Sequence, residues 1–285
     1  MVRDFAKIGW RANGRVGSMG KAGGVQMAKI GIALTVLLVS ILSVPVIAQP
    51  RSWPDGKQAA VVLTYDDALT SQLDIAIPAL DAAGLKGTFF LSGLRADQVG
   101  RWRAAAAEGH ELGNHTIFHP CARGAFPMPD RNNTENYTVA AMLGEISAMN
   151  ATLTAIDGKL QHSFAMPCGQ NLAGGVDYIE ALRQSGLATY TRDLAPAGAR
   201  IDPMGVRSIW FAESATGSDL IATVKVVEKT GGLLVLGFHG VGGDYLKVSA
   251  EAHAELLAYL KAHKATIWVA PFGAAMEYVT AHPAK

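Results

Sequence analysis

Two adjacent carboxylates, Asp66 and Asp67, close the apolar run Val61-Val62-Leu63-Thr64-Tyr65. A buried strand that runs straight into them would set both at its C-terminal end, where α/β barrels carry their active sites. Neighbouring side chains on a strand diverge, so the two acids can do different jobs. Such a pair also suits the N-cap and turn of a following helix. His115 and His119 weigh against that plainer reading. They stand four apart in Gly109-His110-Glu111-Leu112-Gly113-Asn114-His115-Thr116-Ile117-Phe118-His119-Pro120, a spacing that can bring both imidazoles to one side of a helical turn. Two imidazoles and one carboxylate make a three-ligand site for a borderline divalent cation, with a position left for water. His110-Glu111 lacks the spacing of a zinc-protease helix, and His110 reads as structural. His239 follows the apolar run Leu233–Phe238 and precedes Gly240, Gly242 and Gly243, so it should emerge at the same end as the aspartates.

The elements that would hold these groups alternate along the chain in β-α order. Seven strands are expected at Ala59–Thr64, Gly87–Leu91, Glu111–Gly113, Ser163–Met166, Ala188–Tyr190, Leu233–Phe238 and Ala265–Ala270. Helices are expected at Asp74–Ala83, Gly100–Glu108, Val139–Ile156, Val176–Gln184, Asp219–Glu228 and Ala250–His263. With no repeat and no internal linker over 59–280, this order implies one closed or nearly closed α/β barrel; an open doubly wound sheet is the alternative. Two long connections, Pro120–Asn136 and Thr191–Arg207, are expected to shape the site.

The chain has 285 residues, of which 49% are hydrophobic and 17% charged, a balance that excludes disorder and coiled coil. Part of its positive mean hydropathy, +0.19, sits in the uncharged stretch Ile30–Ile47. Six Lys or Arg and one Asp precede that stretch, and Val46-Ile47-Ala48 follows as a small-residue cleavage site. Residues 1–48 therefore read as an export signal cleaved after Ala48, with an uncleaved membrane anchor as the rival. Met27-Ala28-Lys29 would make a compact start, leaving 1–26 as an extension upstream of the true initiator. Residues 49–58 form a polar spacer. Without 1–48 the formal charge moves from +1 to −4, which leaves no basic surface for nucleic acid. The expected location is the periplasm or the extracellular space, with membrane contact only through the N-terminal segment if it stays attached.

Thr64-Tyr65-Asp66-Asp67-Ala68, Asn114-His115-Thr116-x-x-His119-Pro120, Pro167-x-Gly169 and the late His239 together resemble the polysaccharide deacetylases, the NodB homology domain of carbohydrate esterase family four. The resemblance covers about residues 59–280, in the family's motif order. It implies a distorted (β/α)7 barrel and a hydrolase that removes acetyl groups from carbohydrate, N-acetyl first. By matching position, Asp66 is similar to the family's base, His239 to its general acid, and Asp67, His115 and His119 to its metal ligands. The backbone N–H of Cys168 takes the oxyanion position. Zinc suits two His and one Asp, and cobalt, nickel or manganese fit the same donors. An acetylated oligo- or polysaccharide is the implied partner. O-acetyl ester cleavage, hydrolysis of a non-sugar amide, and carbohydrate binding without turnover are the alternatives.

Departures from the family pattern sharpen the expectations. The third motif has Ala165 where the family has an arginine that orients the base, so Arg192 is expected to substitute from another strand end. The usual tryptophan motif is absent, and Trp210 reads as a core or surface packing aromatic, with a place lining the pocket as the alternative. The loop carrying Arg123, Asp130 and Arg131, with Tyr137 just beyond, is the expected place for sugar contacts. Cys121 and Cys168 are the chain's two cysteines. Each follows a motif, and in an exported protein a disulfide between them would pin the two loops. Free buried thiols are the alternative. A Cys-ligated zinc site lacks its paired spacing.

Overall fold

The computed structural model describes residues 52–193 and 201–283; the expected signal or anchor at 1–48 and part of the spacer lie outside them. Eleven strands and seven helices are described, in a largely β-α order. The chain runs β1 (Ala59–Asp66), α1 (Ile77–Ala83), β2 (Thr88–Leu91), α2 (Val99–Ala107), β3 (Glu111–Asn114), α3 (Val139–Asp157), β4 (Phe164–Ala165), and a hairpin of β5 (Leu172–Ala173) and β6 (Val176–Asp177). It continues through α4 (Ile179–Ser185), β7 (Thr191–Asp193), β8 (Val206–Arg207), β9 (Ile209–Trp210), α5 (Gly217–Thr230), β10 (Leu233–Phe238), α6 (Ala250–Ala262), β11 (Ile267–Val269) and α7 (Phe272–Ala281). Helix starts are capped as their sequences allow, by Thr138, by the reciprocal Thr216–Asp219 pair and by Ser249, each satisfying N–H groups with no intrahelical partner.

The main sheet runs β8-β7-β4-β3-β2-β1-β10-β9, with β11 also paired to β1, and every ladder in it is parallel. Only Ser208 separates its two edge strands. The short extended stretch Val206–Trp210 therefore pairs β7 through its first half and β10 through its second. That stretch nearly closes the sheet into the distorted barrel, and β8–β9 count as one stave among seven.

Strand β1 shows how the interior is divided. Ala60 and Val62 pack with Phe90, Ala165, Val206 and Val235 inside the barrel, while Val61, Leu63 and Tyr65 pack outward against the helices. All eight residues of β1 are buried, as expected for a parallel strand covered on both faces. The period of two puts Thr64 and Asp66 on the inner face, so the barrel interior is apolar until its C-terminal mouth. Helix α7 closes the other end with Phe272, Ala275, Met276 and Val279. Its first N–H groups are held by Thr88 Oγ1 and Glu111 Oε2, at 2.7 and 2.8 Å.

Several boundaries differ from the sequence expectation. The fifth strand is Thr191–Asp193 and not Ala188–Tyr190, because pairing to β4 sets its register. The two-residue strands β8 and β9 are too short for a periodic signal, and α7 follows Pro271 where no element was expected. The hairpin β5–β6 occupies the start of the helix expected from Val176, which begins at Ile179. Asp74–Ala83 divides into a π-turn, Gln72–Ala76, followed by α1.

On the outer face Tyr65 stacks on Phe89 and Phe238 and shares a 2.7 Å hydrogen bond with His253 Nε2. His253 is 1% exposed, and burial pushes its pKa down to about 4. The unfolded chain takes up this proton near pH 6.5 and the folded chain does not, so stability is lost as pH falls from about 6.5 to about 4. Urea unfolding should show wild type losing up to about 3 kcal/mol more than His253→Gln across that interval. Equal losses would contradict the assignment. The bridge Cys121–Cys168 is formed and spans 47 residues of sequence. Denatured, unreduced protein should show no thiol in a colorimetric titration, and loop-closure entropy gives the double Ser variant a deficit of about 4 kcal/mol.

Candidate active site

At the mouth of the barrel β1 ends in a turn that few side chains tolerate. Asp67 and Ala68 have φ of 79° and 54°, left-handed values that disfavour residues with a Cβ. This conformation turns Asp67 away from the inner face on which Asp66 lies. Gln72, fully buried on the π-turn, donates its amide to the carbonyls of both Asp66 and His239. It thereby ties the ends of β1 and β10 together.

His115 and His119 do converge, but not on a helix. They sit on a loop in which Thr116 and His119 take φ of 65° and 50°. Asn114 shapes the turn: its Oδ1 accepts from Thr116 N–H at 2.8 Å, and its amide donates to Ile146 and Asn150 of α3. Thr116 Oγ1 then accepts from His119 N–H at 3.0 Å. The two Nε2 atoms finish 3.1 Å apart. Nδ1 of His115 donates to the Ala165 carbonyl at 2.7 Å, which leaves its Nε2 lone pair facing the site.

Asp67 Oδ1 lies 3.3 Å from His119 Nε2 and 3.5 Å from His115 Nε2, and it is buried without a hydrogen-bond partner. Burial, with Asp66 beside it, pushes the Asp67 pKa up to about 6. Burial pushes His115 down to about 3 and lowers His119 as well, so both rings are neutral at pH 7. An orphaned carboxylate oxygen between two neutral imidazole nitrogens, all within 4.8 Å, fits a divalent cation that would restore the charge. A second cluster, His119 with Cys121 and Cys168, does not fit one, because the two sulfurs are bonded to each other.

Asp66 is treated differently. Burial opposes its ionisation, but Arg192, with His115 and His239, outweighs that and holds the carboxyl below its ordinary pKa. Arg192 is 3% exposed. It pairs with Asp66 Oδ2, donates to Thr64 Oγ1 at 2.9 Å, and lies between the rings of Phe90 and Trp210, 4.9 Å from each centroid. In the β4–β7 ladder Arg192 is the direct partner of Ala165. The guanidinium therefore enters from the stave beside the one where the family carries it.

A second pairing of a small residue with a large one lies across the barrel. Trp210 is the ladder partner of Gly237, and a Cβ on Gly237 would fall 2.5 Å from the indole. Its ring stands 4.6 Å from that of His239. Trp210 is thus a wall of the site and not the packing aromatic expected. His239 Nε2 is 3.6 Å from Asp67 Oδ2. Cys168 has φ of 53° in the turn Pro167–Gly169, and among the described residues its N–H has no acceptor. The bridge to Cys121 ties that turn to the histidine loop.

Other expected residues lie elsewhere. His110 is buried at the start of β3, where its Nδ1 accepts from Gly87 N–H. Tyr137 is buried with its hydroxyl on Glu145, and Arg123 pairs with Asp130 on the surface. No local pattern in the sequence marks Gln72, the contact of Thr64 with Arg192, or Tyr245. Their contacts, more than 100 residues distant for the last two, arise only from the closed barrel.

Known proteins share this architecture. A Mycobacterium smegmatis structure assigned to the polysaccharide deacetylases superposes with a TM-score of 0.56 at 19% identity, covering 83% of this chain and 95% of that one. A family 4 acetyl xylan esterase from Clostridium thermocellum, solved with a cobalt ion, gives 0.52 at 18% identity, covering 79% and 93%. A gellan lyase from a Bacillus species is 32% identical over 108 residues, which are 38% of this chain and 4% of that protein's length. The family model for polysaccharide deacetylase matches residues 54–189, a segment that holds Asp66, Asp67, His115, His119 and Cys168 but stops short of Arg192 and His239. Over residues 54–189 the chain thus resembles the polysaccharide deacetylases, and it shares its fold with the Mycobacterium smegmatis structure.

Proposed function

We propose that this protein is a metal-dependent deacetylase that removes N-acetyl groups from an aminosugar in an extracytoplasmic polysaccharide, with the leader at 1–48 directing its export. One observation carries the reading: two adjacent carboxylates are sorted, the buried Asp66 onto a cation of the protein and the half-buried Asp67, through its buried Oδ1, onto two neutral imidazoles. Asp67, His115 and His119 would hold the ion, zinc first by donor type, with cobalt, nickel or manganese as substitutes. When bound it supplies Lewis-acid polarisation of an acetyl carbonyl and acidifies a water.

The chain's own groups do the rest. Asp66 stays ionised beside Arg192, and its Oδ1, which has no protein partner, accepts the proton of the attacking water. The N–H of Cys168 donates to the oxyanion as it develops. His239, whose Nε2 lies 3.6 Å from Asp67 Oδ2, donates a proton to the leaving nitrogen. That donation favours the amide over the ester, because an amine departs far less readily as an anion than an alcohol does.

Acetate release from N-acetylated aminosugar oligomers, with O-acetylated xylan oligomers alongside, tests the reading directly. Purified protein should bind one divalent ion and release acetate from the first set. Asp66→Asn should keep the ion and lose at least about 10²-fold in kcat, and His115→Ala should lose the ion. No acetate from any acetylated sugar with metal supplied would overturn the enzyme reading. Release from the xylan set alone would assign an esterase.

Removing Arg192 leaves Asp66 buried without its cation, so its pKa rises. Arg192→Ala should lower kcat about 10²-fold at pH 7 and move the acidic limb of the pH–rate profile to higher pH, with Arg192→Lys in between. An unmoved limb would remove Arg192 from the base's environment.

A further inference from the structure

The hydroxyl of Tyr245 donates to Asp67 Oδ2 at 2.9 Å. Oδ1 of the same carboxylate faces the two imidazole nitrogens and accepts no hydrogen bond. The two oxygens are therefore distinguished, one aimed into the site and the other tied back. Without a donor on Oδ2 the carboxylate could rotate about its last torsion, a broad one in aspartate, and turn toward His239, whose Nε2 is 3.6 Å from Oδ2.

The loop that carries Tyr245 is built to hold it. Residues 240–248 join β10 to α6 and are wound by Gly240 N–H on the Tyr245 carbonyl at 3.2 Å, Val248 N–H on the Gly240 carbonyl at 3.1 Å and Gly242 N–H on the Val248 carbonyl at 2.8 Å. Asp244 Oδ2 accepts from Ser71 N–H at 2.7 Å, and Val241 N–H donates to Ser71 Oγ at 3.2 Å. Asp244 and Leu246, on either side of Tyr245, have φ of 61° and 45°, left-handed values costly for both residues. A Cβ at Gly240 would meet the Gly243 carbonyl at 2.1 Å. Yet the phenol that this winding fixes is 52% exposed, so packing is not what it contributes. Its ring stands 6.2 Å from that of His239, and its one polar contact among those described is Asp67.

We propose that Tyr245 is a positioning residue for the divalent ion, acting through Asp67: its hydroxyl fixes the plane of the carboxylate so that Oδ1 is presented as a ligand. The proposal rests on the metal reading of the site. Removal of an outer hydrogen bond of this kind costs about 10- to 100-fold in metal affinity. Zinc affinity of the metal-free protein, measured by competition with a chromogenic chelator, should fall by that factor in Tyr245→Phe, while the Tm of the metal-free protein stays unchanged. The visible absorption bands of the cobalt-loaded variant should shift, and Asp67→Asn supplies the limit for a lost ligand. A Tyr245→Phe protein with wild-type zinc affinity and an unchanged cobalt spectrum would overturn the role of Tyr245 alone. Failure of the wild type to bind either ion would overturn the metal reading and this proposal together.

Discussion

Burial of two neighbouring carboxylates at the end of one strand is the constraint around which the site is arranged. A carboxylate taken out of water must be paired, neutralised or bound to a cation. Asp66 is 2% exposed and is paired with Arg192, itself buried between two aromatic rings. Asp67 has no such partner, and its pKa rises to about 6. The protein compensates one of the two charges with its own cation and leaves the other facing two imidazoles kept neutral by burial, which under the proposed function is where an ion would balance it.

That division depends on how the barrel is closed. The stretch Val206–Trp210 pairs both edges of the sheet, and it brings Trp210 over Arg192 and beside His239. Two ladder pairs, Ala165 with Arg192 and Gly237 with Trp210, each place a small residue opposite a large one. The small residues leave the large ones room to reach the mouth of the barrel. An arginine at Ala165 and a larger residue at Gly237 would compete for space that Arg192 and Trp210 now fill. The disulfide adds a covalent tie between the histidine loop and the Cys168 turn, so the groups expected to contact the ion and the oxyanion are fixed relative to each other.

The chemistry of the site was largely legible in the sequence, and its geometry was not. An apolar run ending in Asp66-Asp67 marks a strand end, and His115 with His119 marks a pair of imidazoles that the fold brings together whatever backbone joins them. Spacing alone could not distinguish a helical turn from a loop with left-handed residues at Thr116 and His119, because both bring positions four apart together. Arg192 is legible as the cation that the pattern lacks at Ala165, and it pairs with Asp66. Its strand was misplaced by a few residues because pairing with β4, and not local propensity, sets where that strand lies. Trp210 gave no periodic signal from a two-residue strand. Gln72 and Tyr245 act through hydrogen bonds to residues that only the closed barrel brings near.

The central claim is that Asp67, His115 and His119 form the ion's coordination sphere while Asp66 stays on Arg192 and the cysteines stay bonded to each other. X-ray absorption at the zinc edge of the loaded protein tests it most directly. The account predicts a shell of nitrogen and oxygen at about 2.0–2.1 Å with the multiple-scattering signature of two imidazoles and no sulfur. A sulfur shell near about 2.3 Å, or the signature of fewer than two imidazoles, would contradict it.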